Sequence, residues 1–169
     1  MIKVVITGPE SSGKTTLTAS LAAHFQMPWL SEYARTYIER LDRPYQEEDL
    51  LNIAEGQMRQ EDEAAQQHPL LLLCDTSLLV IKIWSDYRYG RCHPWIAQQW
   101  AQRPVDHYLL CRPDLPWESD PQRENPHNRD ELFHRYQQAL HTRPYTIVEG
   151  PRDHRLRVAI EAIDRLVNQ

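Results

Sequence analysis

The residues Gly8-Pro9-Glu10-Ser11-Ser12-Gly13-Lys14-Thr15-Thr16 follow the spacing G-x-x-x-x-G-K-[ST] of a phosphate-cradling loop. Glycines at both ends let backbone N–H groups converge on phosphate oxygens, where a Cβ would interfere. Lys14 is placed to reach β- and γ-phosphates, and the Thr15 hydroxyl to ligate Mg²⁺. The helix that starts near Lys14 adds its amides and positive dipole end. The whole run, with Glu10, Ser11, Ser12 and Thr16, is therefore the candidate site for the phosphates of a polyphosphate nucleotide.

A second group of residue types could do the rest of a transfer reaction. Asp75 ends the apolar run Leu70–Cys74, where P-loop folds place a carboxylate that helps hold Mg²⁺; it can also cap the helix after Thr76. Glu32 follows the second predicted strand and can accept a hydroxyl proton. Asp75 competes for that role, although metal duty would depress its basicity, and the choice needs geometry. The segment 112–129 is rich in proline and charge, has no periodicity, and reads as a mobile lid. Its Arg123 and Arg129 are candidates to meet charge on the transferring group. Trp117 would be costly to leave exposed, which argues against a disordered loop.

The elements that must hold these residues alternate. Strands are predicted at Ile2–Thr7, Met27–Leu30, Leu70–Asp75, Val105–Cys111 and Pro144–Glu149. Helices are predicted after the P-loop, at Glu32–Leu41 with Ser31 as cap, at about Glu47–Gln67, Leu78–Tyr89 and Pro94–Ala101, from Asp130 to about Thr142, and at Arg152–Val167. Gly56 interrupts the long polar helix and suits a close contact with a neighbour. Alternation of this kind gives an α/β P-loop fold: a five-stranded parallel sheet flanked by helices, a lid after strand four, and one domain over residues 1–169.

Composition bounds the partners. The 169 residues are 41% hydrophobic and 25% charged with a net charge of −5. That charge, with no basic stripe, argues against nucleic acid. No apolar run approaches the ~20 residues of a bilayer span, so no membrane partner is expected. A strand beginning at Ile2 leaves no room for a leader peptide, and a cytoplasmic chain is expected. Cys74, Cys92 and Cys111 form no metal-binding pattern, and Cys74 and Cys111 sit in apolar runs that suggest burial. A homo-oligomer stays open.

The P-loop, Ser31-Glu32-Tyr33-Ala34-Arg35, Ile53-Ala54-x-Gly56-Gln57, Cys74-Asp75-Thr76, Lys82-Ile83-Trp84-Ser85-Asp86-Tyr87 and Pro116-Trp117-Glu118-x-Asp120-Pro121-x-Arg123 occur in an order that resembles one family over nearly the whole chain. It is the nicotinamide riboside kinase domain of NadR-type proteins, within the AAA-type ATPase-like P-loop kinases. The resemblance implies transfer of the ATP γ-phosphoryl to the 5′-hydroxyl of nicotinamide riboside, giving the mononucleotide in NAD salvage. A pyridinium nucleoside is a flat cation that aromatic faces and carboxylates attract. Tyr33, Arg35, Trp84, Asp86 and Tyr87, with Trp117 from the lid and Glu32, are the expected small-molecule site. Two departures stand out. NadR-type proteins commonly carry an adenylyltransferase domain and sometimes a DNA-binding domain before the kinase, so neither adenylylation nor repression is expected of this chain alone. Arg112 stands where the family often has an acidic residue, and could stack on adenine or be exposed. Other acceptors on the same scaffold, or a regulatory nucleotide-binding module, are the competing readings.

Overall fold

The computed structural model describes residues 1–168. Five strands, β1 (Ile2–Thr7), β2 (Trp29–Leu30), β3 (Leu71–Asp75), β4 (His107–Cys111) and β5 (Tyr145–Val148), form one parallel sheet in the order β2-β3-β1-β4-β5. Seven helices flank it: α1 (Lys14–Phe25), α2 (Tyr33–Glu39), α3 (Glu47–Ala65), α4 (Leu78–Tyr89), α5 (Pro94–Gln102), α6 (Arg129–Leu140) and α7 (Arg152–Val167). The expected fold is the observed one.

The central strands are apolar on both faces, and their period of two splits each strand between two cores. Val4, Ile6, Leu71, Leu73 and Leu109 pack with Leu17 and Leu21 of α1 and Ala159 and Ile163 of α7. Val5, Leu72, Cys74, Tyr108 and Leu110 pack with Leu79 and Ile83 of α4 and with Leu132, Phe133, Tyr136 and Leu140 of α6. A third cluster, built on Ala34, Leu50, Ile53, Leu78, Ile81 and Ile96, joins α2 and α3 to α4 and α5. Burial pushes the Cys74 thiol up to about 12 and the Cys111 thiol up to about 11, so both are inert hydrophobes.

Two caps differ from expectation. Ser31 does not cap α2. The chain turns from extended to helical at Glu32 (φ −60°, ψ 111°), and neither side chain makes a capping bond. Ser31 offers its carbonyl to Gln60 Nε2 at 2.9 Å instead. Likewise Ser77, not Asp75, caps α4, its Oγ accepting the Leu79 N–H at 3.4 Å. That frees Asp75 from a structural duty. No helix of the described residues is long and apolar enough to cross a membrane.

Candidate active site

Strands β1 and β3 are neighbours, in register from Ile2↔Leu71 to Ile6↔Asp75. That pairing brings the loop after β1 beside the carboxylate that ends β3, at the carboxyl edge of the sheet where α/β folds bind ligands. A cavity of about 650 Å³ opens there, within the range of small-molecule sites.

Its floor is the P-loop. Gly8 has φ +138°, and a Cβ on it would stand 2.6 Å from the Cys111 carbonyl oxygen, so only glycine fits. Gly13 at φ +84° starts α1 without any side-chain cap, and no acidic residue occupies the first turn. The N-terminal amides of α1 and its dipole are therefore available to an anion. Ser12 Oγ donates to the Pro9 carbonyl at 2.6 Å, and Lys14 Nζ to the same carbonyl at 2.8 Å.

Thr15 Oγ1 donates to Asp75 Oδ2 at 2.5 Å. The other oxygen, Asp75 Oδ1, is buried without a partner. Burial raises the Asp75 carboxyl above its ordinary value, against the opposing pull of Thr15, Lys14 and Arg35. A threonine hydroxyl beside an unsatisfied buried carboxylate oxygen suits a hard cation that takes its other ligands from phosphate and water. No cluster of three or more His, Cys, Asp or Glu side chains able to hold a metal occurs among the described residues.

Across the cavity stands Glu32, the residue at which α2 begins. Burial, reinforced by Asp75 and opposed by Lys14 and Arg35, raises its carboxyl above the usual value. Arg35, one turn further, lines the cavity and donates to Asp120 Oδ2 of the lid at 2.9 Å. Trp84 and Tyr87 of α4 form an aromatic wall.

The lid spans residues 112–128 rather than 112–129, because Arg129 opens α6, and it lies on the P-loop. The Glu10 carboxylate accepts the backbone N–H groups of Glu124 (3.1 Å) and Asn125 (2.8 Å). Ser11 Oγ accepts the Glu118 N–H at 2.9 Å, and its carbonyl accepts Arg129 Nη1 at 3.1 Å. Arg123 lines the cavity and donates to the Glu118 carbonyl.

The expected site residues thus divide. Gly8 through Thr16, Glu32, Arg35, Trp84, Tyr87 and Arg123 share the cavity, and Asp75 touches it through Thr15. Tyr33, Asp86, Trp117, Arg112 and Arg129 do not line it. Tyr33 packs on Gly56, whose added Cβ would stand 2.1 Å from Tyr33 Cε1. Asp86 is held by Lys82 Nζ at 2.5 Å. Half-buried Trp117 is stacked by Arg129, the guanidinium 5.6 Å from the ring centre. Arg112 lies 4.9 Å over Phe133 and pairs with Glu149.

Three contributors carried no signal in the sequence. Tyr45 lies between helices, yet its hydroxyl donates to Glu124 of the lid at 2.8 Å and accepts Trp84 Nε1 at 3.0 Å. Tyr136 lines the cavity from α6, with burial raising its phenol. Arg155 of α7 is 3% exposed. It donates to Gly150 O and Ser12 O (both 2.7 Å), to Arg112 O (2.8 Å) and to the Asp114 carboxylate. It ties the P-loop, the root of the lid and the end of β5 together.

A family model described as an AAA domain matches residues 3–157, so the chain belongs to that family. It is similar to the trifunctional NAD biosynthesis/regulator protein NadR of Escherichia coli, 29% identical over 123 residues, covering 69% of this chain and 30% of that protein. The chain thus spans about a third of the curated relative's length. Among solved structures, NadR in complex with NR superposes with a TM-score of 0.79 at 21% identity, over 99% of this chain and 51% of that one. Thymidylate kinase from Ehrlichia chaffeensis superposes with a TM-score of 0.69 at 14% identity, over 98% of each chain. These two likenesses are of fold.

Proposed function

We propose that this AAA-domain family member is an ATP-dependent small-molecule kinase that phosphorylates the 5′-hydroxyl of nicotinamide riboside. The observation that carries the reading is one cavity lined by the P-loop, the half-buried carboxylate Glu32, and aromatic and arginine side chains. A phosphate cradle alone would need no such second half.

The chain's own groups suffice for the steps. The α1 amides and Lys14 hold the β- and γ-phosphates of ATP. Thr15 and Asp75 would hold Mg²⁺, which when bound neutralises phosphate charge. Because the Thr15 hydroxyl already occupies one oxygen of Asp75, Glu32 is the better base. It accepts the proton of the acceptor hydroxyl as the oxygen attacks phosphorus, and ADP leaves. Arg123 and Arg35 meet charge on the transferring group. The lid, clasped by Glu10 and Ser11, excludes water. Arg129 secures that lid from behind through the Ser11 carbonyl.

The acceptor assignment is supported by the wall chemistry. Trp84 and Tyr87 offer aromatic faces, and the Glu32 carboxylate lines the same cavity, whose other carboxylates share it with Lys14 and several arginines. That environment favours a flat cation such as a pyridinium nucleoside. NAD salvage by such a reaction suits the cytoplasm, where ATP is at hand.

An ADP-release assay over nicotinamide riboside, common nucleosides and no acceptor tests it. Turnover is expected with nicotinamide riboside foremost, lost in Lys14→Ala and reduced at least about a hundredfold in Glu32→Ala, the usual scale of general-base catalysis. Equal turnover of ordinary nucleosides would remove the acceptor assignment. ATP binding without acceptor-dependent ADP would instead favour a regulatory module.

A further inference from the structure

Gln57 lies outside the cavity in the middle of α3 and is 2% exposed. Its Oε1 accepts the backbone N–H of Tyr33 at 3.3 Å, and its Nε2 donates to Glu61 Oε1 at 3.1 Å. Glu61, also 2% exposed and one turn along the same helix face, takes Lys3 Nζ on its other oxygen. Lys3 is on the central strand β1 and only 7% exposed. Three buried polar side chains thus run from the middle of the sheet to the first amide of α2.

Buried polar groups cost stability unless they are paired, so a chain of them has to be satisfied throughout. Its polarity is fixed from both ends. Glu61 requires a donor from Gln57, and Tyr33 N–H requires an acceptor, so the amide has one workable orientation. The chain ends on the residue immediately after Glu32. The Glu32 side chain does not cap α2, which has seven residues and only Ala34 buried. Helix α2 is also held by Arg35 on Asp120 and by the Tyr37 hydroxyl on Asp49, but both lie beyond its first residue, so Gln57 is the side chain that fixes the amide next to Glu32. Gly56, adjacent to Gln57, accepts the Tyr33 ring against its bare Cα. One turn of α3 holds both the backbone and the side chain of the residue next to the proposed base.

We propose that Gln57 is a positioning residue for Glu32, tethering the start of α2 to strand β1 through Glu61 and Lys3. This rests on the reading of Glu32 as the base. A tether of this kind matters because a misplacement of about 1 Å can cost on the order of a hundredfold in rate.

The test is Gln57→Met in the full chain, which keeps the length and volume of the side chain and removes both hydrogen bonds. The expected result is a kcat lowered about tenfold to a hundredfold. The KM for ATP stays within about twofold, the pattern of a group that acts on the chemical step. In a Glu32→Ala background the same substitution lowers kcat no further, and the Tyr33 amide exchanges its hydrogen faster. Unchanged kcat, the same factor lost in both backgrounds, or a parallel rise in the KM for ATP would overturn the proposal. If the wild type shows no acceptor-dependent turnover, the kinase reading fails by itself. The Tyr33 amide then judges the tether: faster exchange in Gln57→Met supports it, and unchanged exchange overturns it. Should Gln57→Met not fold, Gln57→Asn sets the amide back by one methylene and gives the same readouts.

Discussion

Replacing Arg155 by methionine removes a guanidinium that serves four acceptors in a nearly closed space. Three are backbone carbonyls, of Ser12, Arg112 and Gly150, and the fourth is the Asp114 carboxylate. Methionine keeps most of the apolar volume, so the loss is one of polar satisfaction. Breaking a fully buried ion pair costs about 3–5 kcal/mol. The Asp114 side chain is 32% exposed and can recover part of its hydration, which points to the lower end, about 3 kcal/mol. For a chain of 150–250 residues each kcal/mol moves the melting temperature by about 2–4 °C, so a fall of about 6–12 °C is expected. Arg155→Lys should lose most of the same stability, because one ammonium cannot span acceptors on three loops. Asp114→Asn should lose less, since its oxygen can still accept the Gly150 N–H that Asp114 Oδ2 now takes at 2.7 Å. Calorimetry of the three variants checks the ordering. A melting temperature for Arg155→Met within about 2 °C of wild type, less than 1 kcal/mol on that scale, would refute the keystone role.

Other outcomes follow from the same geometry. The Glu32 carboxyl is raised above 4.5 chiefly by burial, so the native state holds its proton to higher pH than the unfolded chain does. Stability from this group is therefore present below 4.5 and falls as pH rises through the raised native value. Glu32→Gln should be more stable than wild type at neutral pH, with the gap closing on acidification, and the acid limb of kcat should lie above 4.5 and vanish with the substitution. Gly56→Ala would drive a methyl into the Tyr33 ring at 2.1 Å. Overpacking of that kind costs about 1–3 kcal/mol, against up to about 1 kcal/mol gained in helix propensity, so a modest fall in melting temperature with a larger fall in kcat is expected. Tyr45→Phe removes the hydroxyl between Trp84 and Glu124. Losing hydrogen bonds worth about 1 kcal/mol should raise the acceptor KM several-fold in steady-state kinetics, with the KM for ATP unmoved.

Local pattern carried the sheet, the helices and the phosphate loop, because each is encoded within a dozen residues. The same holds for Asp75, whose place at the end of an apolar strand is a property of that strand. Groups assembled from distant segments were harder to read. Trp84 and Tyr87 reach the cavity while Asp86 between them points to Lys82, a consequence of helical phase on α4. Tyr33 and Glu32 are neighbours in sequence, yet the start of α2 turns one into the cavity and the other onto Gly56. Trp117 avoids exposure by stacking on Arg129 rather than by closing the cavity. Arg155, Tyr45 and Tyr136 have no local signature at all, since their partners lie on other elements. Left-handed Thr76 (φ +71°), beside Asp75, was equally silent.

Phosphoryl transfer to an acceptor bound opposite the P-loop is the activity on which the assigned roles depend. Phosphorus NMR of a reaction with ATP and nicotinamide riboside tests it most directly, because donor, product and leaving group are seen together. One new ribose 5′-phosphomonoester is expected for each ADP formed, absent with Lys14→Ala and greatly slowed with Glu32→Ala. ADP accompanied by inorganic phosphate, with no phosphomonoester, would contradict it.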